Sequence, residues 1–296
     1  VYDLDIAVSP DVNTEFTTCR RESMFFWDIK KGKELKEIKP DKLKSTCLKW
    51  SLDGKKVYCG SQSSGLHVWD AKTFAPLPGT SVTGSIEDIC VSPDQKHVLL
   101  TVGNDLLVLD TKTLNETHRL KGHTRKINAV SVSHNGLRAA TSSIDMQVNV
   151  WNLQEGKLIH SLTGHQRYGY GAVFSKDDSQ IVSSSVMESR LYVWDAKTGK
   201  RMDDLQSSIN YPMAMAVSKD GLTVYGGGYD RTLSVWDVKS GKITRSHCWF
   251  KEEKGKKAKY DEYRMDVHSL ALSPDESKLL VGTGAGTVSY THLRAH

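Results

Sequence analysis

Apolar and polar residues alternate in short runs along the chain, and each run is cut by a turn rich in Gly, Asp, Asn or Ser. The unit is plainest from Ile127 onward. Residues 127–133 alternate with a period of two and enter a turn at His134-Asn135-Gly136. Residues 138–143 follow, then a tight turn at Ile144-Asp145-Met146, a third run at 147–151, a turn at Gln154-Glu155-Gly156 and a fourth run at 157–162. Apolar and β-branched residues that alternate between the turns predict strands. Gly supplies positive φ to the hairpin turns, and Asp or Asn caps its own backbone there. Helical spacing is absent, so the expectation is all-β, four strands to a unit.

The unit repeats. A Ser-x-Asp/Asn turn recurs at Ser9, Ser51, Ser92, Ser133, Ser175, Ser218 and Ser273, with steps of 42, 41, 41, 42, 43 and 55 residues. A second marker keeps phase with it: Trp27-Asp28, Trp69-Asp70, Leu109-Asp110, Trp151-Asn152, Trp194-Asp195 and Trp236-Asp237. A sheet of this kind exposes two apolar faces and must stack on its neighbours, so seven turn serines imply seven stacked sheets around a ring.

The Trp-Asp marker, the Gly122-His123 and Gly164-His165 pairs and the step length together resemble the WD-repeat family, over residues 1 to about 287. The resemblance implies a seven-bladed WD-repeat β-propeller whose seventh blade is incomplete. Val1–Ser9 reads as the inner strand of blade one, which would put the outer strand of blade seven upstream of Val1. Residues 288–296 break the pattern where a Trp-Asp pair is due, near Thr291. They match the in-frame translation of a sequencing-library transposon end and its adapter, and so read as a non-native tail.

The family resemblance also implies a structural tetrad that joins the Gly-His histidine, a strand hydroxyl, a turn Asp and the Trp. Blade four supplies all of it: His123, the hydroxyl of Thr141 or Ser143 (with Ser143 preferred), Asp145 and Trp151. Blade five offers His165, Glu188 and Trp194. A His-Asp-Ser grouping invites a catalytic-triad reading. Placement inside one blade favours instead a network that satisfies buried polar atoms.

Other chemistry is thin. The eleven histidines are scattered, and the five cysteines include no CxxC pair, so neither a metal site nor a cofactor is expected. Four of the cysteines sit within apolar alternation as small hydrophobes, which suits a reducing, cytoplasmic compartment. Gly226-Gly227-Gly228 falls inside a strand slot, where close backbone packing explains it better than phosphate binding. No apolar run is long enough for a membrane-spanning helix. The net charge of +5 is modest for 296 residues, and the basic residues are spread along the chain, so nucleic acid is not the expected partner. The alternative is a nucleic-acid- or acidic-lipid-binding propeller that uses the five lysines of residues 250–264.

The expected function is a non-catalytic scaffold for other proteins or peptides, serving as a docking or sensing module of a larger chain. Loops entering the inner strands should open on one ring face together with the tight turns of the 144–146 type. Seven residues before each turn serine stand Tyr2, Lys44, Ser85, Lys126, Tyr168, Tyr211 and Asp266. Two further on are Leu4, Thr46, Glu87, Asn128, Tyr170, Met213 and His268. Repeat-equivalent positions that differ this much point to partner contact. At and beside these positions blades four to six gather Arg125, Lys126, Arg167, Tyr168, Tyr170, Tyr211 and Tyr229, with the Tyr and Arg that dominate binding hot spots.

Overall fold

The computed structural model describes residues 6–10, 14–19, 23–28, 31, 33–39, 43–175, 177–186, 188, 190–206, 212–218, 220, 222–228, 231–248, 267–273, 276, 278–283 and 288–292. Among these, all regular structure is strand, in six four-stranded antiparallel sheets and one three-stranded sheet. Within each sheet the strands lie side by side in chain order. First strands pack against first strands around a ring, and Val267–Leu272 lies against Ile6–Val8.

Blade four follows the alternation closely. Its strands are Ile127–Val132, Arg138–Ser143, Gln147–Asn152 and Lys157–Thr163. Blade five repeats them at Gly169–Phe174, Gln180–Ser185, Arg190–Asp195 and Arg201–Gln206. The apolar core lies between blades: Ala140, Val148, Val150 and Leu162 of blade four pack on Ala172, Phe174, Ile181 and Trp194 of blade five. Each sheet thus buries its faces only against its neighbours.

The two markers have separate local jobs. The turn serine is buried, and its hydroxyl accepts the backbone N–H five residues on, as from Lys56 to Ser51 (2.8 Å) and from Arg138 to Ser133 (2.9 Å). It also donates to the Asp or Asn two residues on, as in Ser51–Asp53 (2.7 Å) and Ser133–Asn135 (2.8 Å). One side chain therefore closes the hairpin between the first and second strands. The Asp of Trp-Asp closes the hairpin between the third and fourth, accepting the N–H of Thr73 at Asp70 (2.7 Å) and of Thr198 at Asp195 (2.7 Å). Four residues beyond that Asp or Asn the backbone is left-handed. Gly156 (φ 65°), Gly199 (70°) and Gly241 (70°) take the slot in blades four to six, whereas Phe74 (59°) and Leu114 (56°) hold it in blades two and three. Phe74 offsets that strain by packing its ring 4.4 Å from Phe26.

The Gly226–Gly228 run lies in the second strand of blade six, as its repeat slot requires. A methyl group on Gly227 would come within 2.2 Å of Val267 in the next blade, so close packing explains that glycine. In blade seven, Lys278–Thr283 pairs with Val288–His292. Leu279 stands opposite Thr291, where Val57, Ile181 and Val224 stand opposite Trp69, Trp194 and Trp236. Within the segment read as a foreign tail, residues 288–292 therefore supply paired strand backbone, with Thr291 in the tryptophan slot.

Candidate interaction surface

In blades two, four and five the loop into the inner strand and the turn after the second strand meet at one end of the blade. In blade four a buried network ties them. His123 Nδ1 lies 2.8 Å from Asp145 Oδ2, and His123 Nε2 lies 2.8 Å from Thr141 Oγ1. Trp151 Nε1 donates to the same Thr141 oxygen at 2.8 Å. Burial pushes the His123 pKa down although Asp145 opposes the shift, which keeps the ring neutral at neutral pH. A neutral ring protonated at Nδ1 satisfies every partner: it donates to Asp145, while Thr141 donates to Nε2 and accepts from Trp151. Asp145 also accepts the backbone N–H of Thr124 (2.9 Å) and of Gln147 (3.0 Å), one on each side of the junction.

The structure corrects the expected hydroxyl. Thr141 occupies the tetrad, and Ser143 instead donates to the Arg125 carbonyl at 3.0 Å and accepts the N–H of Asp145 at 3.1 Å. The two residues share a strand face, and only the one deeper in the blade reaches the histidine and tryptophan together. With Thr141 fully buried, this trio offers no hydroxyl to a substrate, and its role is to lock the loop.

Blade five assembles the same lock with different residues. His165 bonds Glu188 Oε2 through Nδ1 (2.7 Å) and Ser183 Oγ through Nε2 (2.7 Å), and Trp194 Nε1 donates to Ser183 at 2.8 Å. Ser183 stands where blade four has Thr141. Burial raises the Glu188 pKa, but hydrogen bonds from His165 and the Gln166 backbone outweigh it and hold the carboxyl below its ordinary value. Glu replaces Asp across a longer turn: four residues separate Ser185 from Arg190, against three between Ser143 and Gln147. Sequence reasoning also missed Tyr192, buried in the same blade. Its ring stacks 4.5 Å from His165, and the Arg201 guanidinium lies 3.9 Å above it.

Both locks hold their loops to the turns. Ile144 N–H donates to the Lys126 carbonyl and Val186 N–H to that of Tyr168, each at 2.9 Å. What these loops then display is Arg125, Lys126, Arg167 and Tyr168, all exposed, with Tyr168 at 48%. Met146, in the turn beside them, is 39% exposed and left-handed at φ 70°. Lys126 is not a free cation, since its ammonium lies 3.3 Å from Glu87 of blade three. Tyr170 is half-buried on its inner strand. Tyr211, Tyr229 and the lysine-rich segment 250–264 lie outside the described residues.

Variation at the second set of loop positions has a partly structural cause. Asn128 Nδ2 donates to the Gly169 carbonyl of blade five (2.7 Å), and Thr46 Oγ1 donates to the Ile86 carbonyl of blade three. With Glu87 on Lys126, three of these side chains are latches between neighbouring blades. Their diversity reflects what each next blade presents.

The ring of antiparallel sheets, each with a buried turn serine and most with a Trp-Asp or Trp-Asn turn, defines a repeat protein of the propeller class. A family model described as "WD domain, G-beta repeat" matches residues 33–70, 114–152, 156–195 and 206–237, about half of the chain. Each match ends on the second residue of a Trp-Asp or Trp-Asn pair: Asp70, Asn152, Asp195 and Asp237. The chain belongs to the WD-repeat family, whose members are generally non-catalytic protein-interaction scaffolds. It is 25% identical over 235 residues to autophagy-related protein 16 of Arabidopsis thaliana, covering 78% of this chain and 44% of that protein. It is 24% identical over 223 residues to the COMPASS component SWD3 of Saccharomyces cerevisiae, covering 72% of this chain and 70% of that one. Similarity to cell division cycle 20.1, cofactor of APC complex, of Arabidopsis thaliana is 23% over 273 residues, covering 73% of this chain and 59% of that protein. The chain thus spans less than half of the first of these relatives. No helix among the described residues is long and apolar enough to cross a membrane.

Proposed function

We propose that this chain is a non-catalytic docking module that holds partner proteins on the loop-and-turn face of blades four to six, inside the cell. The observation that carries the reading is the pairing of two buried tetrads with exposed Arg125, Arg167 and Tyr168 on the loops they lock. A loop already rigid before binding loses little conformational entropy on contact, and Tyr and Arg give large area with polar reach. The names of two relatives, a COMPASS component and a cofactor of APC complex, place those proteins in assemblies and agree with a scaffold role here.

Tyr168 and Tyr211 hold one repeat position in the sequence, seven residues before Ser175 and Ser218. Tyr168→Ala with Tyr211→Ala should abolish affinity capture of the main partner and leave the melting temperature nearly unchanged. The control is Lys200→Ala, in an exposed turn at the other end of blade five. Arg201 does not serve as a control, because it covers Tyr192 behind the blade-five tetrad. If the tyrosine variant keeps its partner and Lys200→Ala loses it, the docking face is the opposite one.

A further inference from the structure

The charges on the two locked loops bear on what a partner must present. Arg125 and Arg167 hold one repeat position, eight residues before Ser133 and Ser175. The corresponding residues of blades two, three, six and seven are Leu43, Gly84, Asn210 and Met265. Both arginines are exposed, and neither makes an ion pair among the described residues. Nearby cations are occupied: Lys126 by Glu87 (3.3 Å), Arg190 by Asp204 (3.5 Å), and Arg201 by the same Asp204. The carboxylates of the two loop junctions are withdrawn into the tetrads, Asp145 and Glu188 having only 4% and 8% of their side chains exposed. Two uncompensated guanidinium groups therefore remain one blade apart, with the exposed apolar surface of Tyr168 and Met146 on the same loops and turn.

We propose that this sector binds an extended acidic peptide segment of the partner. Its carboxylates engage Arg125 and Arg167, and an apolar residue between them lies on Tyr168 and Met146. The proposal rests on the docking reading above. Guanidinium and carboxylate pair through two parallel hydrogen bonds, which gives direction as well as strength. Packed sheets are ~10 Å apart, and a chain in the polyproline II conformation rises ~3.1 Å per residue with about three residues per turn, so acidic residues about three apart face one side and match a one-blade step. Two free cations suit a peptide better than nucleic acid, for which strongly salt-dependent binders make about six to ten phosphate contacts.

Panning a random displayed-peptide library against the whole chain tests this, with a single-stranded oligonucleotide pool panned in parallel. Enriched peptides should carry spaced Asp or Glu around an aliphatic or aromatic residue. A synthetic representative should lose about tenfold or more in affinity for the Arg125→Gln, Arg167→Gln double variant, equivalent to ~1.4 kcal/mol or more. Its affinity for Lys200→Ala should be unchanged, and circular dichroism should show all variants folded. Enrichment of non-acidic peptides that Tyr168→Ala still releases would overturn the acidic partner and leave the docking reading standing. Peptides that neither the arginine nor the tyrosine substitutions release would overturn both. No enrichment, or tighter capture of oligonucleotides than of any peptide, would also overturn the proposal.

Discussion

Asp53 and Asp145 show how one residue type does unequal work in this repeat. Asp53 accepts bonds from Ser51 and from the Lys55 N–H in a turn open to water, with 38% of its side chain exposed. Asp145 is nearly fully buried and joins His123 to two backbone amides across the loop junction. Stranding buried partners costs about 1–3 kcal/mol, whereas water replaces an exposed bond cheaply. Asp145→Ala and Thr141→Val should each lower unfolding free energy by about 1–3 kcal/mol, and Asp53→Ala by well under about 1 kcal/mol. Because Asp145 and Thr141 serve one network, the double variant should cost less than the sum of the two. Denaturant titration of the four proteins reads this directly, and full additivity would mean that the two residues act separately.

At the scale of the strand and turn, the left-handed slot after Trp-Asp couples adjacent blades. A methyl group on Gly156 would sit 2.5 Å from the His118 ring of blade three, and one on Gly199 would sit 2.9 Å from His160 of blade four. Gly156→Ala therefore meets both positive φ and a neighbour's side chain, and should cost about 1–3 kcal/mol. In a His118→Ala background the same change should cost less, since only the backbone strain remains. An equal cost in both backgrounds, measured by thermal unfolding, would rule out the contact between blades.

Strand boundaries of this kind were legible beforehand because alternation and turn residues are local signals. The expected run at 138–143 coincides with its strand, and those at 127–133, 147–151 and 157–162 differ from theirs by a single residue at the end. What stayed hidden depends on depth or on a second blade. Thr141 and Ser143 alternate onto one face, so spacing alone does not say which reaches His123 and Trp151. Ser183 was lost within a run of three serines. The pairing of Lys126 with Glu87 of the preceding blade depends on a neighbour that no spacing within one blade shows.

On the scale of the whole molecule, the ring turns repetition into a surface with distinct sectors. Among the described residues, a complete His-hydroxyl-acid-Trp lock is formed in blades four and five. Those two blades also carry the unpaired arginines and the exposed tyrosine, so rigidity and recognition chemistry fall in one place. The central claim is that partners sit on this sector. Hydrogen-exchange mass spectrometry of the chain with and without a captured partner addresses it most directly. Binding should slow exchange at residues 123–126, 144–146 and 165–168, and leave the turns at 154–156 and 197–200 unchanged. Slowed exchange at 154–156 and 197–200, with 123–126 and 165–168 unaffected, would contradict the account.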